Sequence, residues 1–354
     1  MADANYTNPA NHPPPGTGPG PPGVPGGMDR SYSVDIIVCA AITAAISFVF
    51  VAMRFYARLF IVRVLHREDW LILIAQIFST VMCGGFIHEA ILGHGSHAWL
   101  VPAENISPMA KAAWYTILFY QLSLSCSQVS ILLLYCRVWN YPWIRQAAKG
   151  LLVFVMIYKF LIILVCVTAC IPLQAFWDFE LQEHSYCHGK PIWWAATYLH
   201  IATDFLTYLL PMPVIFRVQF PIRQRILLFV LFAFGFFICI ISIIRCYLLK
   251  LVDDTNDFTF DNVSIAFWSC VETNGTISIA CFMTMKPLLS RWFPSIVEER
   301  PTASRVVAGS NGRLPTIGSR PMRLRPADLH RSLTASLRGY EAVTDDDDGR
   351  AKNA

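Results

Sequence analysis

Residues 192–216 read IWWAATYLHIATDFLTYLLPMPVIF. The run is apolar over the roughly 20 residues that a helix needs to cross about 30 Å of hydrocarbon. It nevertheless carries a carboxylate, Asp204, and two prolines, Pro211 and Pro213. A charge at mid-membrane costs at least about 2.5–3.5 kcal/mol, so such a residue faces the interior of a bundle and pairs there. The prolines deprive the carbonyls of Thr207 and Leu209 of their helical donors. A spanning helix tolerates this where neighbouring groups or water satisfy those carbonyls, and it kinks there. The stretch predicts a bent membrane helix with a polar centre.

Working outward, spans are predicted over 35–57, 70–91, 110–136, 150–171, 192–214, 226–248 and 263–285. The chain is 55% hydrophobic and only 15% charged, with the charge collected between the runs and in the tail. A soluble domain would interleave it at the helical or strand period. In lipid only helices or closed barrels satisfy the backbone, and these runs are too long for barrel strands. The fold predicted is an all-α membrane protein, a seven-transmembrane helix bundle.

Basic loops alternate with loops poor in Lys and Arg. Arg58, Arg63 and Arg67 lie in loop 1, Arg137, Arg145 and Lys149 in loop 3, and Arg217, Arg223 and Arg225 in loop 5. The positive-inside rule then places the N-terminus outside and the C-terminus in the cytoplasm. The sequons at Asn5 and Asn105 fall outside and are the expected glycosylation sites, whereas Asn262 is too close to the bilayer and Asn274 lies within a span. Residues 1–34, rich in Pro and Gly, are expected to be a disordered extracellular segment and not a cleavable signal. Residues 35–290 form the membrane domain. Residues 291–354 form a cytoplasmic tail, a short interfacial helix (286–297) leading into an arginine-rich and then acidic disordered segment.

Most of the eleven cysteines are embedded in spans. Cys170 and Cys187 instead fall at the predicted outer end of helix 4 and in outer loop 4, where a disulfide is the favoured reading and free thiols the alternative.

Rise per residue puts Asp204 about 18 Å below the outer boundary, with Glu272 and Lys159 each about 14 Å from a boundary. Arg245 sits higher on helix 6, with a side chain long enough to turn down toward them. A structural polar seam of Asp204, Lys159, Glu272, Asn274 and Gln121 is weighed against a ligand or proton site. Retinal is disfavoured, because helix 7 has no lysine before Lys286, so no cofactor is expected. His200 and Asp204 are one turn apart, a spacing that suits two metal ligands, with His88 as a third in a membrane zinc hydrolase. No His-Glu-x-x-His motif supports that reading. His94, His97, His184 and His188 could gather metal or sense acid pH.

The motifs at the span ends form an ordered set: MRFYARLFIVRVLHREDW (53–70), GHGSH (93–97), SQVSILLLYCRVW (127–139), CIPLQAFW (170–177), TDFLTYLLPMPVIFRVQ (203–219), FAFGFFICIISIIRCYLL (232–249) and FWSCVETNGTISIACFMTMKPL (267–288). Together they resemble the fungal rhodopsin-domain family of integral membrane proteins, over about residues 35–290. Its members include receptors of the G-protein-coupled type in filamentous fungi. The resemblance covers Arg54, Arg58, Asp69, Gly93, Gly95, His97, Ser130, Tyr135, Arg137, Cys170, Pro172, Trp177, Asp204, Pro211, Gly235, Arg245, Trp268, Ser269, Glu272 and Pro287. Glu68 stands where a first aspartate is usual, Gln128 where a lysine is usual in helix 3, and Met283 where helix 7 usually has a proline.

The resemblance implies a receptor-like sensor of an extracellular cue, without retinal and without enzymatic activity, in the plasma membrane. An outer pocket around helices 3, 5, 6 and 7 would couple to the basic inner loops. Tyr135 and Arg137 close helix 3 on the inner side. Arg137 resembles a G-protein contact without the flanking carboxylate of the animal receptors, and reads more simply as a positive-inside anchor. The expected partners are lipid, an extracellular ligand and a cytoplasmic signalling protein such as a G protein; nucleic acid is not expected. The alternatives are a transporter or channel using Asp204 and Glu272 and, third, the membrane metal hydrolase.

Overall fold

A computed structural model describes residues 32–285 apart from 98–99, 139–140, 179–180, 182–183, 214–221 and 254–257. Among the described residues seven long helices follow one another: α1 (Ser33–Tyr56), α2 (Arg67–Leu92), α3 (Ala103–Val138), α4 (Pro142–Val167), α5 (Lys190–Leu209), α6 (Ile222–Asp253) and α7 (Val263–Phe282). Five spans are long and apolar enough to cross a membrane: Ser33–Val62, Arg67–Leu92, Ala103–Val138, Pro142–Val167 and Phe229–Val252. The other two helices, α5 and α7, have 20 residues each and carry Asp204 and Glu272.

Each helix packs on the next and α7 returns to α1, closing a ring, while α3 runs through the middle against α2, α4, α5 and α7. Val51, Ile72, Ile131, Leu132, Val155 and Ile277 fill the centre between α1, α2, α3, α4 and α7. The opposite faces are apolar as well. On α4, Val153, Met156, Ile157, Phe160, Leu161 and Leu164 are all exposed. A bundle with large apolar side chains on its outward faces is built for a lipid surround, where they meet acyl chains and not water.

Helix ends follow local chemistry. Helix α2 begins where the backbone N–H of His66 donates to Asp69 Oδ2 at 3.0 Å, so the aspartate satisfies an orphan donor and sits favourably at the positive end of the helix. Helix α1 runs on as a π-helical segment, Ala57–Val62, which ends at Arg63 in the left-handed region (φ 57°). Where α5 and α6 meet, Gly235 leaves room for a ring, since a Cβ there would stand 2.5 Å from Tyr208 Cδ1.

The two ends of the bundle differ, and we call them the disulfide end and the arginine end. At the disulfide end Cys170–Ile171 and Tyr186–Cys187 pair as short antiparallel strands, with Cys170 opposite Cys187 and bridged to it. The GHGSH loop stitches neighbouring segments together there. The N–H of Tyr32 donates to Gly95 O at 3.1 Å, the N–H of Gly95 to Thr259 O at 3.3 Å, and Ser33 Oγ to His94 O at 2.9 Å. Gly95 takes φ +97° to do this, and a Cβ would meet the Ser33 N at 3.0 Å, so the position needs glycine.

Two expectations change. Helix α3 starts at Ala103, seven residues before the predicted 110, with Pro108 inside its first turns. The regular part of α5 stops at Leu209, short of the predicted 214. Leu210 N–H still donates to Leu206 O. Pro211 then has no N–H to continue the ladder, so the two prolines end the regular helix and residues 212–213 resume helical geometry after a turn. Asn5, the segment before residue 32 and the tail beyond residue 285 lie outside the described residues.

Candidate functional site

Glu272 of α7 is fully buried, and its two oxygens are shared among three other helices. Oε2 accepts from Tyr120 OH of α3 at 2.7 Å and from Arg245 Nη1 of α6 at 3.4 Å. Oε1 accepts from Ser242 Oγ of α6 at 2.5 Å and lies 3.2 Å from His200 Nε2 of α5. Arg245 also donates to Tyr120 OH, and its guanidinium stands 4.2 Å from the centre of that ring. Charge-assisted hydrogen bonds of this kind are the strong ones in a dry interior.

Asp204, one turn beyond His200 on α5, is held by the same group. Its Oδ1 accepts from Gln128 Nε2 of α3 at 3.2 Å, and its Oδ2 from Ser242 Oγ at 3.3 Å, while His200 Nε2 stands 3.5 Å away. The Ser242 hydroxyl thus has one proton and two carboxylates within reach. Behind the histidine, Lys159 Nζ of α4 lies 3.2 Å from His200 Nδ1. An ammonium has only donors, so Nδ1 accepts and the ring proton sits on Nε2, facing both carboxylates. Two carboxyl groups, an amine and a guanidinium therefore share one cluster, and their charges cancel when all four are ionised.

His200, Asp204 and Glu272 each offer a ligand atom within 4.8 Å of the others. The geometry corrects the sequence-based metal triad: His88 is elsewhere, its Nδ1 2.8 Å from Tyr115 OH between α2 and α3, and Glu272 takes its place. While Lys159 donates to Nδ1, Nε2 is protonated and has no lone pair for a cation.

A family model described as the fungal rhodopsin domain matches residues 53–291. The chain belongs to the fungal rhodopsin domain family. It is a multi-pass membrane protein. It is 24% identical over 338 residues to the polyenoic acids biosynthesis gene cluster protein Ba17b of Metarhizium anisopliae, covering 89% of each chain. It is 28% identical over 174 residues to a SAT4 family membrane protein of Emericella nidulans, covering 48% of this chain and 45% of that one. It is 21% identical over 258 residues to Receptor GIN3 of Arthrobotrys oligospora, covering 72% of this chain and 62% of the relative. No solved structure matches it.

In this fungal rhodopsin domain the expected single seam divides into separate centres. Asn274 faces away from Asp204, toward α1 and α2, where Ser47 Oγ and Ser79 Oγ donate to its Oδ1 at 2.7 and 2.8 Å. Gln121 does not join the cluster either, and its Oε1 is buried without a partner among the described residues. Gln128, two turns further along α3, is the amide that reaches Asp204. Lys159 touches the cluster through His200 instead of bonding Asp204 directly, whereas Arg245 turns down onto Glu272 as its length allowed.

The arginine end holds a third centre. Arg54 of α1 is buried and joins three helices. Its Nε donates to Asp69 Oδ1 of α2 at 2.8 Å, and its Nη1 to Ala280 O in the last turn of α7 at 2.6 Å. Arg58 Nε adds a contact to Asp69 at 3.5 Å. Arg137 pairs with Glu68 Oε1 of α2 at 2.6 Å. Tyr135 is buried, and its OH has no partner among the described residues.

The four loop histidines do not gather. His94 is buried with Nδ1 3.9 Å from Glu89 Oε2, and burial holds its imidazole at about 4. His97 stacks on Phe260, His188 Nε2 lies 3.1 Å from Thr168 Oγ1, and His184 is exposed. At Asn105 the amide nitrogen that a glycan would occupy donates to Leu92 O at 3.3 Å. Among the described residues a cavity also runs along α1, α6 and α7.

Proposed function

We propose that the chain is a receptor-like sensor in the plasma membrane, with the disulfide end outside and the arginine end in the cytoplasm, and without catalytic activity of its own. The observation that carries this reading is Glu272, a buried carboxylate whose bonds tie α7 to α3, α5 and α6. A buried charge left without a partner is strongly destabilising. A cue that draws away one of those partners therefore forces the helices to rearrange around the others, which is how a small local change becomes a shift between two packings. A relative described as a receptor supports the reading, as does the alternation of basic loops. The cytoplasmic partner, a G protein or another signalling protein, would meet the arginine end. Glycans at Asn5 and Asn105 belong to the same orientation, and an endoglycosidase shift of surface protein tests them.

The test of the sensor compares second-messenger level, at matched surface expression, between the wild type and Glu272→Gln or Asp204→Asn. A changed resting or stimulated level supports the proposal, and unchanged signalling in both variants overturns it.

A second reading rests on one geometric fact. Lys159 Nζ, the His200 ring and Glu272 Oε1 form a continuous chain, with Nζ 3.2 Å from Nδ1 and Nε2 3.2 Å from Oε1. Such a chain could relay a proton in a transporter. Proton flux in liposomes that is abolished by Lys159→Met supports transport, and its absence in the wild type removes it.

A further inference from the structure

Toward the disulfide end a cavity of about 910 Å3 runs along the bundle, within the usual range for small-molecule sites. Its floor is α7, which packs against both α1 and α6. Its walls come from those two helices, among them Val38 and Ile42 of α1 and Leu251 of α6. These wall residues, and Phe267 of the floor, are between 41% and 54% exposed, so the cavity opens sideways onto the face that meets acyl chains. A ligand would enter it from the bilayer.

The groove is apolar along its length and acidic at one end. Asp35 and Asp261 are the two titratable carboxylates among its lining residues, and neither pairs with a cation among the described residues. Among the described residues that line it there is no Lys, Arg or His. Beside the carboxylates Tyr32 and Phe260 meet edge to face with ring centroids 5.4 Å apart, so aromatic faces also border the acidic mouth. Two carboxylates beside aromatic rings favour a cation and repel a fatty acid head or a lipid phosphate. At the far end the lining reaches Val271, the residue next to Glu272.

We propose that this groove binds a long-chain amine from the bilayer, its tail lying along α7 and its ammonium between Asp35 and Asp261. As a binding site the groove stands on its own geometry; as the site of the cue it rests on the receptor reading.

The test uses the full-length protein in nanodiscs of neutral phosphatidylcholine, with a radiolabelled C18 primary alkylamine as probe. Unlabelled C18 amine, C18 alcohol and C18 fatty acid compete for it. The amine is expected to displace the probe at roughly tenfold lower concentration than the alcohol or the acid. The double variant Asp35→Asn with Asp261→Asn should weaken amine binding about tenfold and leave the alcohol unchanged. Ser264→Phe, which fills the groove, should abolish both, whereas Val153→Phe on the lipid face of α4 should change neither. Equal competition by amine and acid in the wild type overturns the proposal and leaves a cleft filled by bilayer lipid. Unchanged amine affinity in a double variant that melts like the wild type overturns it as well. Amine-selective binding without a second-messenger response supports the site and overturns only its role as the place where the cue binds.

Discussion

Arg137, near the end of α3, and Glu68, at the start of α2, meet at 2.6 Å, while the next residue, Asp69, is claimed by Arg54 of α1 at 2.7 Å. Adjacent carboxylates thus bind different helices in different surroundings. The Arg54 and Asp69 side chains are each 1% exposed, and Arg137 is 44% exposed.

That contrast sets the first prediction. Asp69→Asn leaves Arg54 buried beside a neutral group and should cost about 3–5 kcal/mol. Glu68→Gln should cost about 1 kcal/mol, because the partner it leaves, Arg137, is 44% exposed and solvated by water. Thermal unfolding of the two variants in detergent checks this, and equal losses would contradict the assignment.

In the core, Glu272→Gln and Arg245→Met should each destabilise by about 3–5 kcal/mol when made alone. Made together they remove both members of a pair, so the loss should fall well short of the sum. Melting temperatures of the two single variants and the double measure the coupling; strict additivity would mean that the pair does not interact.

The bridge between Cys170 and Cys187 closes a separation of 17 residues, which in the chain-entropy model stabilises the fold by about 3 kcal/mol. Replacing both cysteines by serine should lower stability by that amount, with no effect of reductant on the variant. Mass spectrometry of non-reduced protein should find the two residues linked, and free thiols at both would reject the bridge.

A pH effect follows from His94. Burial holds it at about 4 in the folded protein, against about 6.5 in an unfolded chain. Between those values the unfolded state binds more protons, so stability falls as pH drops below about 6.5 and the loss levels off below about 4, at roughly 3 kcal/mol. Glu89, 3.9 Å from the ring, titrates in the same environment, so the decisive comparison is with His94→Gln, whose stability should decline less over that interval.

The bundle was legible because each span declares itself by length and apolar run, whatever its neighbours do. The first turns of α3 were not: residues 103–109 include Glu104, Asn105 and Pro108, which read as loop until packing is known. Asp204, Glu272, Lys159 and Arg245 stood out because charge in a span is costly. Tyr120 and Ser242 did not, since hydroxyls are common in membrane helices and nothing local marks one as a carboxylate partner. Gln121 and Gln128 differ by seven residues, two turns on one face, so the pattern supplied an amide on the correct face without fixing its depth. The third candidate ligand went to His88 because residue type was weighed without position. The end of α5 before Pro211 is a boundary effect, since the same missing donor can bend a helix or stop it.

The cancelling charges around His200 also constrain how such a core can diverge. The family resemblance read from the sequence implies a lysine at the position held here by Gln128, and Gln128 Nε2 already lies 3.2 Å from Asp204. A lysine introduced there alone would put three cations against two carboxylates, with the surplus buried. The change is tolerable only alongside loss of the ammonium at Lys159, so the two positions are expected to covary: relatives with lysine at the first should carry an uncharged residue at the second, and intermediates holding both should be rare.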